Sequence, residues 1–272
     1  MDNRSVWDKV AANYGSVGPK YWNWFGEQLV SYSAVQEGMK VLDIGFGRGA
    51  SLFPAASIVG DSGKVEGIDT SAEMVAHTQN EVLANQLRNI DVFHSSLEDY
   101  CENTGGFDRI MCGFGIGYLS ASDDNFKILH KSLKEEGVLS LSVWTHQEDQ
   151  SWLTSVVNKH LGITDTPDHA SEEKDEEEEY DLCTATGLKS FIESQGFSHV
   201  ETEIVEKTFV FSDQEEWWAD LNSSAVKNII DVIDGMNCLD AFKKDAFDGI
   251  LQFKKNDGIH IRREAILVRG TK

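Results

Sequence analysis

The chain has 272 residues, 40% of them hydrophobic, which is enough for one large domain with a sizeable core. Its formal net charge is -22, with 46 acidic against 24 basic residues. This charge argues against nucleic acid as a partner, because phosphate contacts need clustered Lys and Arg. No apolar run reaches the roughly 18 residues of a transmembrane helix. The N-terminal stretch MDNRSVWDKVAANY also has mixed charges and no apolar core, so we expect no signal peptide, no membrane insertion and a cytoplasmic location.

The predicted elements begin with 38 residues that are helical and unusually rich in aromatic side chains. Beyond them, apolar strand-like runs alternate with segments of helical spacing. Strands are predicted at 39–45, 64–71, 89–96, 107–115 and 137–146, and helices at 49–60, 71–86 and 123–137. Then follow a helix at 184–197, strands at 199–211 and 258–270, and a helical section between these strands. This alternation predicts βαβ units, hence an α/β fold with a mostly parallel sheet.

The domain organisation is predicted from the segments that depart from this alternation. Residues 1–38 are interpreted as a helical, aromatic-rich lid, although two helices that merely pack on the sheet fit the same pattern. Residues 39–272 are expected to form the main domain, with a helical insertion around 213–255. Residues 165–180 form an acidic run that cannot bury much apolar area and is predicted to be a loop.

The stretch VLDIGFGRG places Gly45, Gly47 and Gly49 directly after the first predicted strand. Glycine allows sharp turns, and its bare backbone lets a ligand lie close. In a parallel sheet this loop lies at the carboxyl ends of the strands, where ligands bind. Asp69 ends the second predicted strand, where a carboxylate can accept hydrogen bonds from ribose hydroxyls. An N-cap for the following helix is the other interpretation of Asp69.

The chain resembles the class I S-adenosylmethionine-dependent methyltransferases in four stretches, DIGFGRG, GKVEGIDTSAEMV, SSLEDY and FDRIMCGFG. Within that class it is most similar to the branch of ubiquinone and menaquinone biosynthesis enzymes, methyltransferase type 11. The lead-in VWDKVAANYGSVGPKYWNWF is also similar to the N-terminal segment of that branch. The resemblance implies a Rossmann-like fold with a mostly parallel seven-stranded sheet, helices on both faces and an antiparallel last strand. It also implies S-adenosyl-L-methionine as the cofactor.

Carried across residue by residue, the resemblance implies a set of cofactor contacts. Asp43 is oriented toward the amino group of the methionine part, and the backbone of Gly113 lies near that part. Met74 packs on the adenine face. Ser96 and Leu97 lie near the adenine amino group, where Ser96 replaces the family's common aspartate. The implied cofactor residues are Asp43, Gly45, Gly47, Gly49, Asp69, Met74, Ser96, Leu97 and Gly113.

Candidate catalytic and substrate residues follow from the chemistry of methyl transfer. The reaction requires alignment and exclusion of water, and it needs a general base only where the acceptor arrives protonated. His146, just past a predicted strand, ranks first as that base, ahead of Tyr14 and Tyr118, although it also fits an ordinary surface histidine. The expected acceptor-binding residues are Tyr14, Tyr21, Tyr118 and Trp144. The four cysteines form no C-x-x-C pair, so neither a metal site nor a disulfide framework is expected.

The sequence therefore predicts an S-adenosylmethionine-dependent methyltransferase acting on O, N or C of a small, apolar or aromatic molecule. Two alternatives stay open. One is a nicotinamide-dependent oxidoreductase on the same fold, and the other is a cofactor-binding relative without turnover. The acceptor, the methylated atom, the pathway and the oligomeric state are not predicted.

Overall fold

The buried run that precedes the glycine loop forms the central strand of the sheet. The computed structural model describes residues 4–120, 122–163 and 180–272. In it, Val41 to Ile44 are all buried. Such a strand, apolar toward both faces, is typical of a parallel sheet with helices on both sides.

The sheet consists of β1 (Lys40–Ile44), β2 (Lys64–Asp69), β3 (Ile90–His94), β4 (Phe107–Gly113), β5 (Leu133–Trp144), β6 (Ser198–Phe211), β7 (Lys254–Lys255) and β8 (Gly258–Thr271). The order is β3-β2-β1-β4-β5-β8-β6, and β7 pairs with β8. Strands β1 to β5 are parallel, whereas β8 is antiparallel to both β5 and β6. The predicted fold class is confirmed, with β7 as a two-residue addition.

Helices cover both faces of the sheet. They are α1 (Arg4–Val10), α2 (Tyr21–Tyr32), α3 (Leu52–Val59), α4 (Ala72–Ala84), α5 (Leu97–Cys101), α6 (Ile116–Leu119), α7 (Asp123–Ser132), α8 (Gln150–Leu161), α9 (Ala185–Ser194), α10 (Gln214–Asn222), α11 (Lys227–Gly235) and α12 (Leu239–Ile250). Adjacent strand residues point into different core clusters, such as Val41 in one and Leu42 in the other. Each face of the sheet therefore has its own hydrophobic core.

The helix predicted at 123–137 is wrong beyond Ser132. Leu133 is 2% exposed and pairs with Phe107 at the start of β5. Glu136 has φ 62°, a left-handed conformation that a helix does not contain. Burial of Leu133 beside Phe107 thus overrides the helical propensity of the polar residues that follow it.

The N-terminal helices pack on the elements that surround the glycine loop. Val6 and Val10 of α1 pack with Met74 of α4. Helix α2 buries Phe25 against the sheet, and a Cβ on its Gly26 would lie 2.2 Å from the carbonyl oxygen of Ala50. The backbone of α2 therefore lies directly against the start of α3. The division into a lid at 1–38 and a main domain stays a prediction.

The C-terminal half contains α10, α11 and α12 between β6 and β8, in the section where a helical insertion is predicted. Residues 165–179 of the predicted acidic loop lie outside the described residues. Across the described ranges, every helix is too short or too polar to cross a bilayer.

Candidate functional site

The glycine loop connects β1 to α3 through a backbone that favours glycine. Gly45 has φ +67° and Gly47 has φ +54°, both in the left-handed region. A Cβ on Gly45 would meet no atom within 4 Å, so the space beside this residue is open. A Cβ on Gly47 would lie 3.5 Å from the ring of Tyr14. The loop therefore presents bare backbone to open space.

The carboxylate of Asp69 connects the glycine loop to the end of β2. Its Oδ2 accepts a hydrogen bond from the N–H of Gly47 at 2.9 Å, and its Oδ1 accepts one from the N–H of Ser71 at 2.8 Å. Ser71 is itself the N-cap of α4, so the interpretation of Asp69 as that N-cap is wrong. Burial raises the pKa of Asp69, against the lowering effect of the two backbone hydrogen bonds. Since a carboxylate has about four acceptor positions, Asp69 retains capacity for ligand hydroxyls.

Asp43 is fully buried beneath the glycine loop. Its Oδ2 accepts a hydrogen bond from the hydroxyl of Ser51 at 2.7 Å. Its Oδ1 has no hydrogen-bond partner among the described residues. Burial raises the pKa of Asp43 to about 7. Leaving a buried carboxylate oxygen without a donor is costly, so the arrangement suits a ligand that brings a polar hydrogen.

A cavity of about 760 Å³ opens at the carboxyl ends of the parallel strands. A second cavity of about 250 Å³ shares Gly45, Gly47 and Gly113 with it. The combined space is of the size of a small-molecule site. The predicted residues that line the larger cavity are Tyr14, Tyr21, Gly45, Gly47, Asp69, Met74, Ser96, Leu97, Gly113, Tyr118 and Trp144. Three predicted residues, Asp43, Gly49 and His146, line neither cavity.

Met74, Ser96 and Leu97 line the larger cavity from the first turns of α4 and from the start of α5. Met74 is only 2% exposed because α1 covers it. The hydroxyl of Ser96 caps α5 by accepting a hydrogen bond from the N–H of Asp99 at 3.2 Å. A hydroxyl that accepts such a bond still has its own proton to donate. Contacts of these residues with adenine stay a prediction.

Three aromatic rings, those of Trp22, Phe114 and Trp144, form a wall of the larger cavity. Phe114 and Trp144 are stacked with their centroids 4.0 Å apart, and Trp22 meets both rings edge-on. Phe114 has φ 57°, which is strained for a bulky residue and is often found at functional sites. Trp22 and Phe114 are not among the residues predicted from the sequence. Two sequence features could have identified them: Phe114 directly follows Gly113, and Trp22 lies in the N-terminal segment that is rich in aromatic residues.

Helix α1 is joined to α6 by a hydrogen bond between two residues that line the cavity. The indole Nε1 of Trp7 donates to the hydroxyl oxygen of Tyr118 at 2.9 Å. The ring of Trp7 also meets the ring of Tyr14 edge-on. Tyr118 is 50% exposed, so this contact lies where the cavity meets solvent.

A buried polar cluster lines another part of the same cavity, and of its members only Tyr21 was predicted from the sequence. It consists of Tyr21, Asp149, Asp220 and Arg263. The hydroxyl of Tyr21 donates to Oδ2 of Asp220 at 3.0 Å. Arg263 forms a two-point ion pair with Asp149, in which Nη2 lies 2.9 Å from Oδ2. Residues so far apart in the chain provide no local pattern, so only the fold identifies this cluster.

His146, the predicted general base, has a side chain that is 73% exposed. Its Nε2 lies 3.9 Å from Oδ2 of Asp181. The ligand atoms of His146, Asp181 and Cys183 all lie within 4.8 Å of one another, a spacing that could hold a metal ion. Cys183 also lines the larger cavity, whereas His146 does not. A catalytic role for His146 stays a prediction, and its position does not favour that role.

The comparisons with known proteins concern mainly the N-terminal half of the sheet. Residues 41–137 match the family model described as a methyltransferase domain. Aklanonic acid methyltransferase DauC from Streptomyces sp. strain C5 is 35% identical over 114 residues, which are 42% of this chain and 52% of that protein. Nocamycin O-methyltransferase from Saccharothrix syringae is 35% identical over 105 residues, covering 39% of this chain and 38% of that protein.

A demethylmenaquinone methyltransferase from Geobacillus stearothermophilus is 25% identical, with 49% of this chain and 58% of that protein covered. The chain thus spans about 38% to 58% of the length of these relatives. The YcgJ protein from Bacillus subtilis has the same fold, with a TM-score of 0.57 at 17% identity over 92% of this chain and 98% of that one. Residues 41–137 of this chain are therefore similar to a methyltransferase domain, and the chain has a Rossmann-like fold.

Proposed function

We propose that this protein transfers a methyl group from S-adenosyl-L-methionine to O, N or C of a small, apolar or aromatic molecule. The observation that carries this proposal is the position of Asp69, whose carboxylate joins the glycine loop to β2 beside the cavity. The relatives named for aklanonic acid and for nocamycin support a small-molecule acceptor. The word O-methyltransferase in the second name favours oxygen among the three atoms.

The residues around the loop fit this cofactor. The unpartnered Oδ1 of Asp43 suits the positively charged amino group of the methionine part. The open space beside Gly45 leaves room for a ligand against the backbone. Asp69 retains acceptor positions for ribose hydroxyls, and Met74 provides an apolar surface for adenine. Asp43, Gly45, Gly47, Asp69, Met74, Ser96, Leu97 and Gly113 would hold the cofactor.

Bound S-adenosyl-L-methionine supplies an electrophilic methyl group on a positively charged sulfur. The chain has to align an acceptor atom with that methyl group and to exclude water. Trp22, Phe114 and Trp144 serve both purposes, because their rings form an apolar wall next to Gly113. Their π faces also favour positive charge in the cavity. No covalent nucleophile is required.

The N-terminal segment 1–38 would act as a lid over this cavity, with α1 held by the contact between Trp7 and Tyr118. The acidic composition supports a partner that is a small molecule and not a nucleic acid. A cytoplasmic location fits the same composition. The alternatives on the same fold receive no specific support from the site.

Calorimetric titration with S-adenosylmethionine and S-adenosylhomocysteine tests the proposal. We expect micromolar binding, weakened about ten-fold or more in Asp69→Ala because a charged acceptor for the ribose is lost. Asp91→Ala is the matched control, since Asp91 lies on β3 and pairs at the surface with Lys64. It should change the affinity by less than about two-fold. Binding of NADH without binding of the sulfur compounds would instead establish the oxidoreductase alternative, and no binding at all would refute the proposal.

A further inference from the structure

The buried polar cluster of Tyr21, Asp149, Asp220 and Arg263 lies in the part of the cavity that the methyltransferase family model does not cover. The family match spans residues 41–137, whereas the four residues come from α2, the segment before α8, α10 and β8. The glycine loop, Asp69 and Met74 all fall inside the matched range. The cluster therefore lies outside the matched methyltransferase domain, and we assign it to the acceptor side of the cavity.

Within this cluster, Asp149 has an oppositely charged partner, whereas Asp220 has only a neutral hydrogen-bond donor. Arg263 and Asp149 neutralise each other, and their side chains are only 14% and 5% exposed. Asp220 is 4% exposed, and the partner that the described residues provide for its carboxylate is the neutral hydroxyl of Tyr21. A buried carboxylate with one neutral donor is costly. Such groups are frequent at functional sites.

The carboxylate of Asp220 remains connected to the cofactor side of the cavity through Tyr14. The ring of Tyr14 lies against Gly47 of the glycine loop. Burial raises the pKa of Tyr14, and the charges of Asp69 and of Asp220 raise it further. Tyr14, Asp69 and Asp220 all line the larger cavity, so the two carboxylates belong to one continuous site.

We propose that Asp220 binds the reacting hydroxyl group of the acceptor and accepts its proton, and that this acceptor is an uncharged aromatic molecule carrying a hydroxyl. The inference rests on the proposed methyltransferase function. Tyr21 is a positioning residue, because its hydroxyl donates a hydrogen bond to the carboxylate of Asp220. Each oxygen of Asp220 keeps an acceptor position for the substrate.

The remainder of the lining favours a neutral hydroxyl over an anionic group. The charged residues that line the cavity are Asp69, Glu98, Asp149, Asp220 and Arg263. Four of the five are acidic and the arginine is already paired, so an anionic acceptor would be repelled. An ammonium group loses more hydration energy than a hydroxyl on entering the cavity, but the acidic residues and the π faces of Trp22, Phe114 and Trp144 attract it, so an amine is the rival acceptor that the test includes.

The chemical step balances with these groups. The proton of the acceptor hydroxyl passes to the carboxylate of Asp220, and an electron pair of the oxygen forms the new bond to the methyl carbon. The bond between that carbon and the sulfonium sulfur breaks, and its electron pair stays on sulfur and removes the positive charge. The products are a methyl ether, a neutral thioether and protonated Asp220, which returns its proton to solvent.

Burial raises the pKa of Asp220 to about 7, which brings it nearer to the pKa of an aromatic hydroxyl, about 10. The groups that face it are the hydroxyl of Tyr21 from α2, the guanidinium of Arg263 from β8 and the carboxylate of Glu216 on its own helix. The first two lower its pKa and Glu216 raises it. Binding of the hydroxyl should therefore weaken as the pH falls below about 7, because a protonated Asp220 has lost its charge.

The test measures binding of two probes of nearly equal size, 2-naphthol and 2-methylnaphthalene, to the full chain saturated with S-adenosylhomocysteine. The ratio of their dissociation constants reports the hydroxyl contact without requiring turnover. We expect Asp220→Ala to lower the preference for 2-naphthol about ten-fold or more, since hydrogen bonds to charged groups are the strong ones. Tyr21→Phe should lower it less. Glu98→Gln, which alters an exposed carboxylate of the same cavity, is the matched control and should leave the ratio unchanged.

Binding of S-adenosylhomocysteine is recorded for each variant and separates the role of Asp220 from the proposed function. If the wild-type chain binds S-adenosylhomocysteine but shows no preference for 2-naphthol, or keeps it in Asp220→Ala, the inference about Asp220 is wrong and the proposed function stands. If the wild-type chain does not bind S-adenosylhomocysteine, the proposed function itself fails. Preferential binding of 2-(aminomethyl)naphthalene would show that the site takes an amine and would overturn the hydroxyl assignment.

Discussion

The carboxylate of Asp69 accepts a hydrogen bond at 2.9 Å from the backbone N–H of Gly47, a residue 22 positions earlier in the chain. The contact crosses from the end of β2 to the loop after β1, because these two strands are parallel neighbours. The same carboxylate also accepts a hydrogen bond from the backbone N–H of Ser71, which precedes α4. One half-buried side chain thus sets the relative positions of a loop and a helix that border the cavity.

The first prediction concerns the open space beside Gly45. Gly45→Ala should destabilise the fold by about 1 kcal/mol, because alanine is strained at φ +67°. It should also weaken binding of S-adenosylhomocysteine about ten-fold or more, since the new methyl group points into the space that the ligand needs. Thermal melting and calorimetry measure the two effects.

Gly196→Ala is the matched control for Gly45→Ala. Gly196 has φ +89°, and a Cβ there would also meet nothing within 4 Å, but the residue lies outside both cavities. The control should show a similar loss of stability with unchanged affinity. Equal affinities for the two variants would contradict the role of Gly45 as a cradle for the ligand.

The second prediction concerns Asp43, whose pKa is raised to about 7 by burial. The folded protein holds this proton at pH values where the unfolded chain, with a pKa of about 4, has lost it. The contribution of Asp43 to stability therefore becomes less favourable as the pH rises from about 4 to about 7. Asp43→Asn removes the charge and keeps an acceptor for Ser51.

The melting temperature of Asp43→Asn relative to wild type, both without ligand, should rise between about pH 4 and about pH 7 and stay level above that. Affinity for S-adenosylmethionine should fall in the same variant, because its amino group loses a charged partner. A variant that is less stable than wild type at pH 8 would show that the buried charge is compensated within the protein.

The third prediction concerns the buried ion pair between Asp149 and Arg263. Arg263→Met leaves the carboxylate of Asp149 without its charged partner and should cost about 3–5 kcal/mol in the free energy of unfolding. The double change Asp149→Leu with Arg263→Met should recover most of this loss, because no charge is then left buried. Denaturant unfolding measures both.

The surface ion pair between Lys244 and Asp248 provides the comparison, with side chains 74% and 66% exposed. Asp248→Asn should change stability by less than about 0.5 kcal/mol. If Arg263→Met cost no more than this surface change, the pair would have to be hydrated in solution.

The fourth prediction concerns the hydrogen bond from Trp7 to Tyr118. Tyr118→Phe removes the acceptor for the indole N–H and should speed the release of S-adenosylhomocysteine several-fold, since α1 then opens more easily. Stopped-flow fluorescence measures the rate. Tyr100→Phe is the matched control, because the hydroxyl of Tyr100 bonds Glu66 and lies outside the cavity. Equal release rates in the two variants would exclude α1 as a lid.

Much of the cofactor side follows from local sequence order. The apolar run of β1, the glycines after it and Asp69 at the end of β2 are all signals within short windows. Parallel pairing of adjacent strands then brings Gly47 and Asp69 together as a direct consequence. The seven longer strands could likewise be predicted from sequence in their order along the chain, because each is a local apolar run.

The contacts of the buried polar cluster could be found only in the tertiary structure, although Tyr21 itself was expected from the sequence. Tyr21 and Asp220 are separated by 199 positions, and Asp149 and Arg263 by 114. The end of α7 at Ser132 and the exposed position of His146 likewise depend on contacts from other elements. Periodicity and motif spacing carry information only about the interactions of a residue with its neighbours in the sequence. Burial, and with it the charge state of Asp220 and the shape of the acceptor site, is decided by which distant elements the fold brings together.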